Sequence, residues 1–457
     1  MRYGLDPRFR FIASRAIYKG MLKFLCSQRG TDYVVQPLPV SHMRVSLSQG
    51  NLATLEWQPV SDPLEPTATP HSYMVYTRMD EGGWDNGQLV NAPSYTTALQ
   101  AGHIYSWKVS AVNDGGCSFD SEILSAGLPS EPRKDVGTVL VINGFDRVSA
   151  PADFDYTLDN GMQLAGFRDD YDHGVPYLRD ISYVGRMKEF RRSIPWMDDD
   201  ASGFGDSYSD QEDRVIAGNT FDYPYIHGQA LMALGCSFTS CSNESVEAGQ
   251  VVLSDFPMVD LILGKQCQTK IGNGKNENQN QNENGNCWFN VQRLMFKTFT
   301  PAMQLHITQY LQQCGGRFFV SGAYVGTDLW DNPLVLPSDD DKKFAQDVLK
   351  FKWRANQAAR SGGIKQVRSA FGKAGGNFLY SDTLNAQCYI VESPDAIEPA
   401  CAEAHTVFRY AQNNLSAAVG YRGRKYGTFV MGIPFEAVTD AGIRKELMQT
   451  VLQCLFD

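Results

Sequence analysis

The spacing of apolar and polar positions changes twice along this 457-residue chain. Near the start, Phe9, Ile12, Ala13, Ala16, Met21, Leu22 and Leu25 recur at helical intervals, with Arg10, Arg15, Lys19 and Lys23 between them. That pattern predicts an amphipathic helix capped by Asp6, with Pro7 at its first position. Its apolar face needs a cover, either protein or a membrane surface. From residue 52 the period drops to two, at 52–57, 73–77 and 105–112, with turn-rich segments between, and short strands so spaced predict a β-sandwich. Beyond Pro132 the strands become unbroken apolar runs at 138–144, 258–264, 317–322 and 427–432, alternating with helical stretches at 226–234, 301–313 and 440–456. Strands that are apolar on both faces and alternate with helices predict an α/β doubly wound parallel sheet. The loops near Gly144, Gly264, Ser321 and Pro434 should then converge at the carboxyl ends of the strands, where such sheets bind ligands.

The division this implies is an N-terminal helix at 1–28, a sandwich at 39–132 and an α/β domain at 136–457 that carries long insertions at 151–220 and 267–287. The second insertion contains GNGKNENQNQNENGN, which has no apolar surface to bury and is expected to be a surface loop. A net charge of -10 gives no basis for holding nucleic acid. No run is long and apolar enough for a transmembrane segment, and the N-terminus, broken by Arg15, Lys19 and Lys23, does not read as a signal peptide. The ten cysteines include no CxxC pair of zinc-like spacing. Cys236 with Cys241, Cys267 with Cys287 and Cys388 with Cys401 are near enough in sequence to be bridged in an oxidising compartment, and buried free thiols are the alternative.

Trp57 and the sequence Leu99-Gln100-Ala101-Gly102-His103-Ile104-Tyr105 resemble the strand-B tryptophan and the LxxGxxY corner of fibronectin type III domains. The resemblance implies a sandwich without chemistry of its own, in which the Tyr105 hydroxyl bonds back to the backbone near Leu99. The stretch MRYGLDPRFRFIASRAIYKGMLKFL resembles the last helix of the N-acetylmuramoyl-L-alanine amidase domain that opens some multidomain Bacteroidetes proteins carrying the name xanthan lyase. It implies an exported, periplasmic or cell-surface protein, with the missing amidase domain and its zinc ligands upstream of Met1. The ending GTFVMGIPFEAVTD resembles the last strand and loop of flavodoxin-like, class I glutamine amidotransferase-like domains. Those enzymes use a Cys on a tight strand-to-helix turn and a late His-x-Glu element. Here the turn counted as following the third strand, at 320–328, has no Cys, and Pro434-Phe435-Glu436 has no His.

The polar candidates for ligand binding are Asn143 and Ser321 at strand ends, and Asp222, Tyr225 and His227 at a helix N-terminus, where a sugar would fit and a helix-entry packing motif is the alternative. Ser321 lacks the flanking glycines of a nucleophile elbow. Asp146, His227, Asp328 and Glu436 are the acid/base candidates, and acid/base work requires them within hydrogen-bond reach of one another. In the first insertion Asp198, Asp200, Ser202 and Asp206 stand at alternate positions of a calcium-like loop, but Ser209 replaces the closing Glu and a solvated acidic loop is the alternative. No cofactor is expected apart from calcium at that loop. The leading expectation is a non-catalytic, degenerate α/β domain with a fibronectin type III spacer, binding a glycan or peptidoglycan ligand. The alternative is a carbohydrate- or peptidoglycan-acting hydrolase or lyase using the carboxylates and His227.

Overall fold

The computed structural model describes residues 7–145, 222–266, 298–330 and 337–457, apart from 368–370, 372–375, 384–387, 390 and 392–393, together with short strand pieces between 153 and 216 and at 269–270 and 294–295. Asp146, the calcium-like residues Asp198, Asp200, Ser202 and Asp206, and the Cys267–Cys287 pair lie outside the described side chains.

The first element is helix α1, Pro7–Arg29. Its orientation reverses the expectation. Arg15, Lys19 and Lys23, one turn apart, form a basic stripe that docks on the loop at 62–65: Arg15 and Lys19 reach Asp62 at 3.0 and 3.5 Å, and Lys23 reaches the buried Glu65 at 2.8 Å. Ile17, Met21 and Phe24 point outward and are more than 60% exposed. The charged stripe matches an acidic partner surface, so the polar face of this helix is the docked one.

Residues 41–127 form a two-sheet sandwich. One sheet is β1 (Ser41–Ser48), β2 (Leu52–Gln58) and β5 (Ser94–Ala98). The other is β4 (Gln88–Val90), β3 (Ser72–Met79), β6 (Ile104–Asn113) and β8 (Leu124–Gly127), with the short β7 (Gly116–Cys117) pairing on β6. This is the strand order of a fibronectin type III domain. Trp57 is buried edge-on to Tyr73, with centroids 5.3 Å apart, and Trp107 is fully buried. The Tyr105 hydroxyl accepts from the Gln100 amide at 3.4 Å, closing the corner that its spacing predicts.

The sheet beyond residue 137 has a parallel half. Strand β9 (Thr138–Asn143) lies between β10 (Ser237–Ser242) and β11 (Met258–Gly264), and β11 continues to β12 (Arg317–Gly322) and β19 (Gly427–Met431). Numbered along the chain, these five strands stand in the order 2-1-3-4-5. An antiparallel extension follows: β18 (Ser416–Arg422), β17 (Ala404–Tyr410), β14 (Gly363–Gln366) and β15 (Phe378–Leu379), while β13 (Phe351–Ala355) and β16 (Ala396–Pro399) pair separately. Side chains alternate between two cores. Val139, Val141, Phe319 and Met431 face helices α2 (Tyr223–Met232) and α5 (Ala441–Phe456). Leu140, Ile142, Val320 and Val430 face the opposite core with α4 (Pro301–Gln312), which follows the short helix α3 (Asn243–Glu247). Helical cover on both sides is why these strands read as unbroken apolar runs. Gly228 lets α2 lie directly on Phe238, where any Cβ would enter the ring.

The sandwich is joined to this sheet. Strand β10 would be an edge, and both β1 and β8 pair with it, through Arg44↔Cys241 and Phe238↔Gly127. Ser240 Oγ accepts from the Ser125 amide at 2.8 Å and donates to the Ser125 carbonyl at 2.7 Å, and Thr239 Oγ1 donates to the Val45 carbonyl at 2.5 Å. The spacer expectation is corrected by this seam, which covers an otherwise open strand edge.

Two of the three possible cysteine bridges are also corrected. None of Cys236, Cys241, Cys388 and Cys401 is in a disulfide. Cys236 stands just before β10 and Cys241 near its end, so extended backbone holds them about 16 Å apart, beyond the reach of a disulfide. Among the described residues, no helix is long and apolar enough to cross a membrane.

Candidate functional site

The carboxyl ends of the parallel strands converge as the alternation predicts. The Gly144 amide donates to the Ile262 carbonyl at 2.8 Å, Ala323 to Gly264 at 2.8 Å, and the Phe435 amide to Ser321 Oγ at 3.2 Å. Gly264 sits at φ +51° with the Phe145 ring where a Cβ would be, so no larger residue fits this close approach.

Beneath these loops lies a buried polar network. His227, on α2, points at the sheet; its Nδ1 is 2.7 Å from Asp260 Oδ2 and its Nε2 is 3.3 Å from Glu436 Oε2. Tyr389 donates its hydroxyl to Glu436 Oε1 at 2.7 Å. His227 and Asp260 have no exposed side-chain surface, and Glu436 is 3% exposed. Burial disfavours the imidazolium, but Asp260 and then Glu436 outweigh it and raise the ring to about 9. Burial pushes the Asp260 carboxyl up, with His227 opposing. The ring faces two acids, whereas Asp260 faces one base. Around the network, Phe145, Tyr223 and Tyr389 pack with centroids 5.3 to 5.6 Å apart, and the Lys265 ammonium lies 6.0 Å from the Tyr389 ring. Burial also raises the Cys388 thiol, with Glu436 adding to the effect.

The sequence candidates fall in different places. His227 and Glu436 meet directly, joined by Asp260 and Tyr389, which the sequence reading did not single out. Asp260 carried a signal: a carboxylate in the middle of an apolar strand must find a partner or lose its charge. Asp328 is elsewhere, accepting from the Thr298 amide and hydroxyl. Asn143, fully buried at the end of β9, donates through Nδ2 to Glu122 of the sandwich at 2.6 Å. Asp222 is spent on Arg78 of the sandwich at 2.6 Å, and that guanidinium also lies 4.8 Å from the Tyr225 ring. These two residues hold the two parts together. Asp222 thus has a protein partner through Oδ2, while its Oδ1 is buried with no hydrogen-bond partner among the described residues. Nearby, Asp395 accepts from the Gly326 and Thr327 amides at 2.7 Å each, pinning the turn after β12, and burial raises it to about 7 against those bonds.

One strand count also changes. Because Ser237–Ser242 is a strand, the run at 317–322 is the fourth parallel strand and Met258–Gly264 the third. The turn after the third therefore begins Gly264-Lys265-Gln266-Cys267, which corrects the expectation that this turn has no Cys; Lys265 is buried and Cys267 lies outside the described residues. Among the described residues, no group of three or more His, Cys, Asp or Glu is placed to hold a metal ion.

No family model matches this chain, and no curated protein matches it. Solved structures similar to part of it include fibronectin type III domains. The fourth FNIII domain of a human protein is 23% identical over 22% of this chain and 86% of that one, with a TM-score of 0.19. The domain of human fibronectin type III domain containing protein 3 is 21% identical over 21% and 87%, with a TM-score of 0.18. The twitchin kinase region of C. elegans is 21% identical over 22% of this chain and 18% of its own length, with a TM-score of 0.18. The fibronectin type III reading of residues 41–127 stands on their own strand order and buried tryptophans.

Proposed function

We propose that this chain binds a ligand rather than transforming one: a degenerate, flavodoxin-like or amidotransferase-like α/β domain fused to a fibronectin type III sandwich, in an exported cell-envelope or polysaccharide-associated protein. The observation that carries the reading is that both ring nitrogens of the buried strand-end histidine face carboxylates. A general base needs a free nitrogen lone pair near neutral pH. His227 commits both nitrogens to carboxylates, and its raised proton affinity keeps the ring protonated through neutrality. The strand order 2-1-3-4-5 supports the flavodoxin-like assignment. A periplasmic or surface location, and a glycan or peptidoglycan ligand, are supported by the sequence resemblances.

The test is a screen of glycans and peptidoglycan fragments by calorimetry, run beside product analysis for hydrolysis and elimination. Binding without turnover is the expected result. Turnover that disappears in Glu436→Gln or Cys267→Ser would replace this reading with that of a hydrolase or lyase. His227→Ala serves as a stability probe only, because the ring is sealed from ligand.

A further inference from the structure

Between the sandwich and the α/β domain lies a cleft of about 670 Å³, one of whose lining residues, Arg444, also feels the charge of Glu436 in the strand-end network. Its size falls within the roughly 300–1,000 Å³ of small-molecule sites, which favour domain boundaries. One wall is acidic: Asp80 and Glu81, at the end of β3. The other is basic: Arg444 and Lys445, near the start of α5. Ile104, Ala230 and Met232 give the floor an apolar character.

Both charged walls are built. Asp80 adopts φ +51°, an uncommon conformation for a side-chain-bearing residue, and is held there by the Ile104 amide at 2.9 Å and His103 Nδ1 at 2.6 Å. Glu81 accepts from Gln229 on α2 at 3.1 Å. Across the cleft, Arg444 is 7% exposed, and its Nη1 donates to the Val438 and Thr439 carbonyls at 2.7 and 2.9 Å. Its other N–H groups have no acceptor among the described residues, and neither does the Lys445 ammonium. Cys388, Asp440 and Glu436, and after them Glu81, act electrostatically on the Arg444 guanidinium, and Glu81 does not meet it in an ion pair among the described residues. Two fixed charges of opposite sign, held apart over an apolar floor, match a molecule with an ammonium at one end and a carboxylate at the other.

We infer that this cleft binds a small zwitterion, an amino acid or short peptide, with its ammonium at Asp80 and Glu81 and its carboxylate at Arg444 and Lys445. The inference rests on the binding reading above and names a ligand class for it. Calorimetry of the full chain with the dipeptide alanyl-leucine, its N-acetyl form, its C-amide and free leucine tests it. Alanyl-leucine or leucine is expected to bind, and blocking either end should weaken binding about tenfold or more. Glu81→Lys and Lys445→Glu, both at exposed positions, should each do the same, and the double reversal should recover binding. The inference is overturned if neither zwitterion binds at about 10 mM, or if binding ignores the blocked ends and the charge reversals. Cleavage of the dipeptide would leave the site standing and sink the non-catalytic reading instead; glycan binding without dipeptide binding would do the reverse.

Discussion

Two histidine–aspartate pairs of nearly the same length hold different positions in this molecule. In the sandwich, His103 and Asp80 meet at 2.6 Å with 38% and 45% of their side chains exposed. In the parallel sheet, His227 and Asp260 meet at 2.7 Å with none. Water screens the first pair and can replace either partner, so its contribution to stability is small. Nothing can replace a partner of the second, and removing one strands a charge in the core. Distance alone therefore says little about what such a pair does; enclosure decides it.

The largest effect should come from breaking the buried pair. Asp260→Asn is expected to cost about 3–5 kcal/mol in urea unfolding, and a loss below about 1 kcal/mol would mean that the network is not closed. Next in size is the pH response of the intact protein. A histidine whose folded value is raised to about 9 stabilises fully below its unfolded value of about 6.5 and loses that contribution as pH rises through 9. Urea midpoints should therefore fall across that window, and the slope should be shallower in Asp260→Asn. A flat profile would contradict the raised affinity.

The seam comes third. Ser240→Ala removes a hydroxyl that both accepts from and donates to Ser125, and should cost about 1–2 kcal/mol. The wild type should melt in one calorimetric transition, whereas two separate transitions would restore the spacer picture. The smallest effect belongs to the exposed pair: His103→Ala should shift stability by less than about 1 kcal/mol, and a larger loss would erase the contrast drawn here.

Much of the sandwich could be read from sequence because its signals are local. Trp57 and the Leu99–Gly102–Tyr105 spacing fall within single strands and turns. The apolar runs at 138, 258, 317 and 427 were legible for a similar reason, since burial on both faces removes polar residues. Strand β10 was not, because SFTSCS carries hydroxyls that the sandwich satisfies from across the seam. The antiparallel extension was missed as well. The buried network was half legible: His227 and Glu436 stood out as polar residues near helix and strand ends. Tyr389, 47 residues from Glu436, had no pattern to mark it. The docked face of α1 was unreadable from its own residues, because helical periodicity identifies two faces and the neighbouring acidic loop chose between them.

The central claim is that the strand-end histidine is a locked, protonated part of the core. Nitrogen-15 NMR of the His227 ring across pH, assigned by comparison with a His227→Gln variant, tests it directly. The account predicts an imidazolium that persists through neutrality and titrates near 9. A ring that is neutral at pH 7 and titrates near or below about 6.5 would be free to take a proton, and would contradict it.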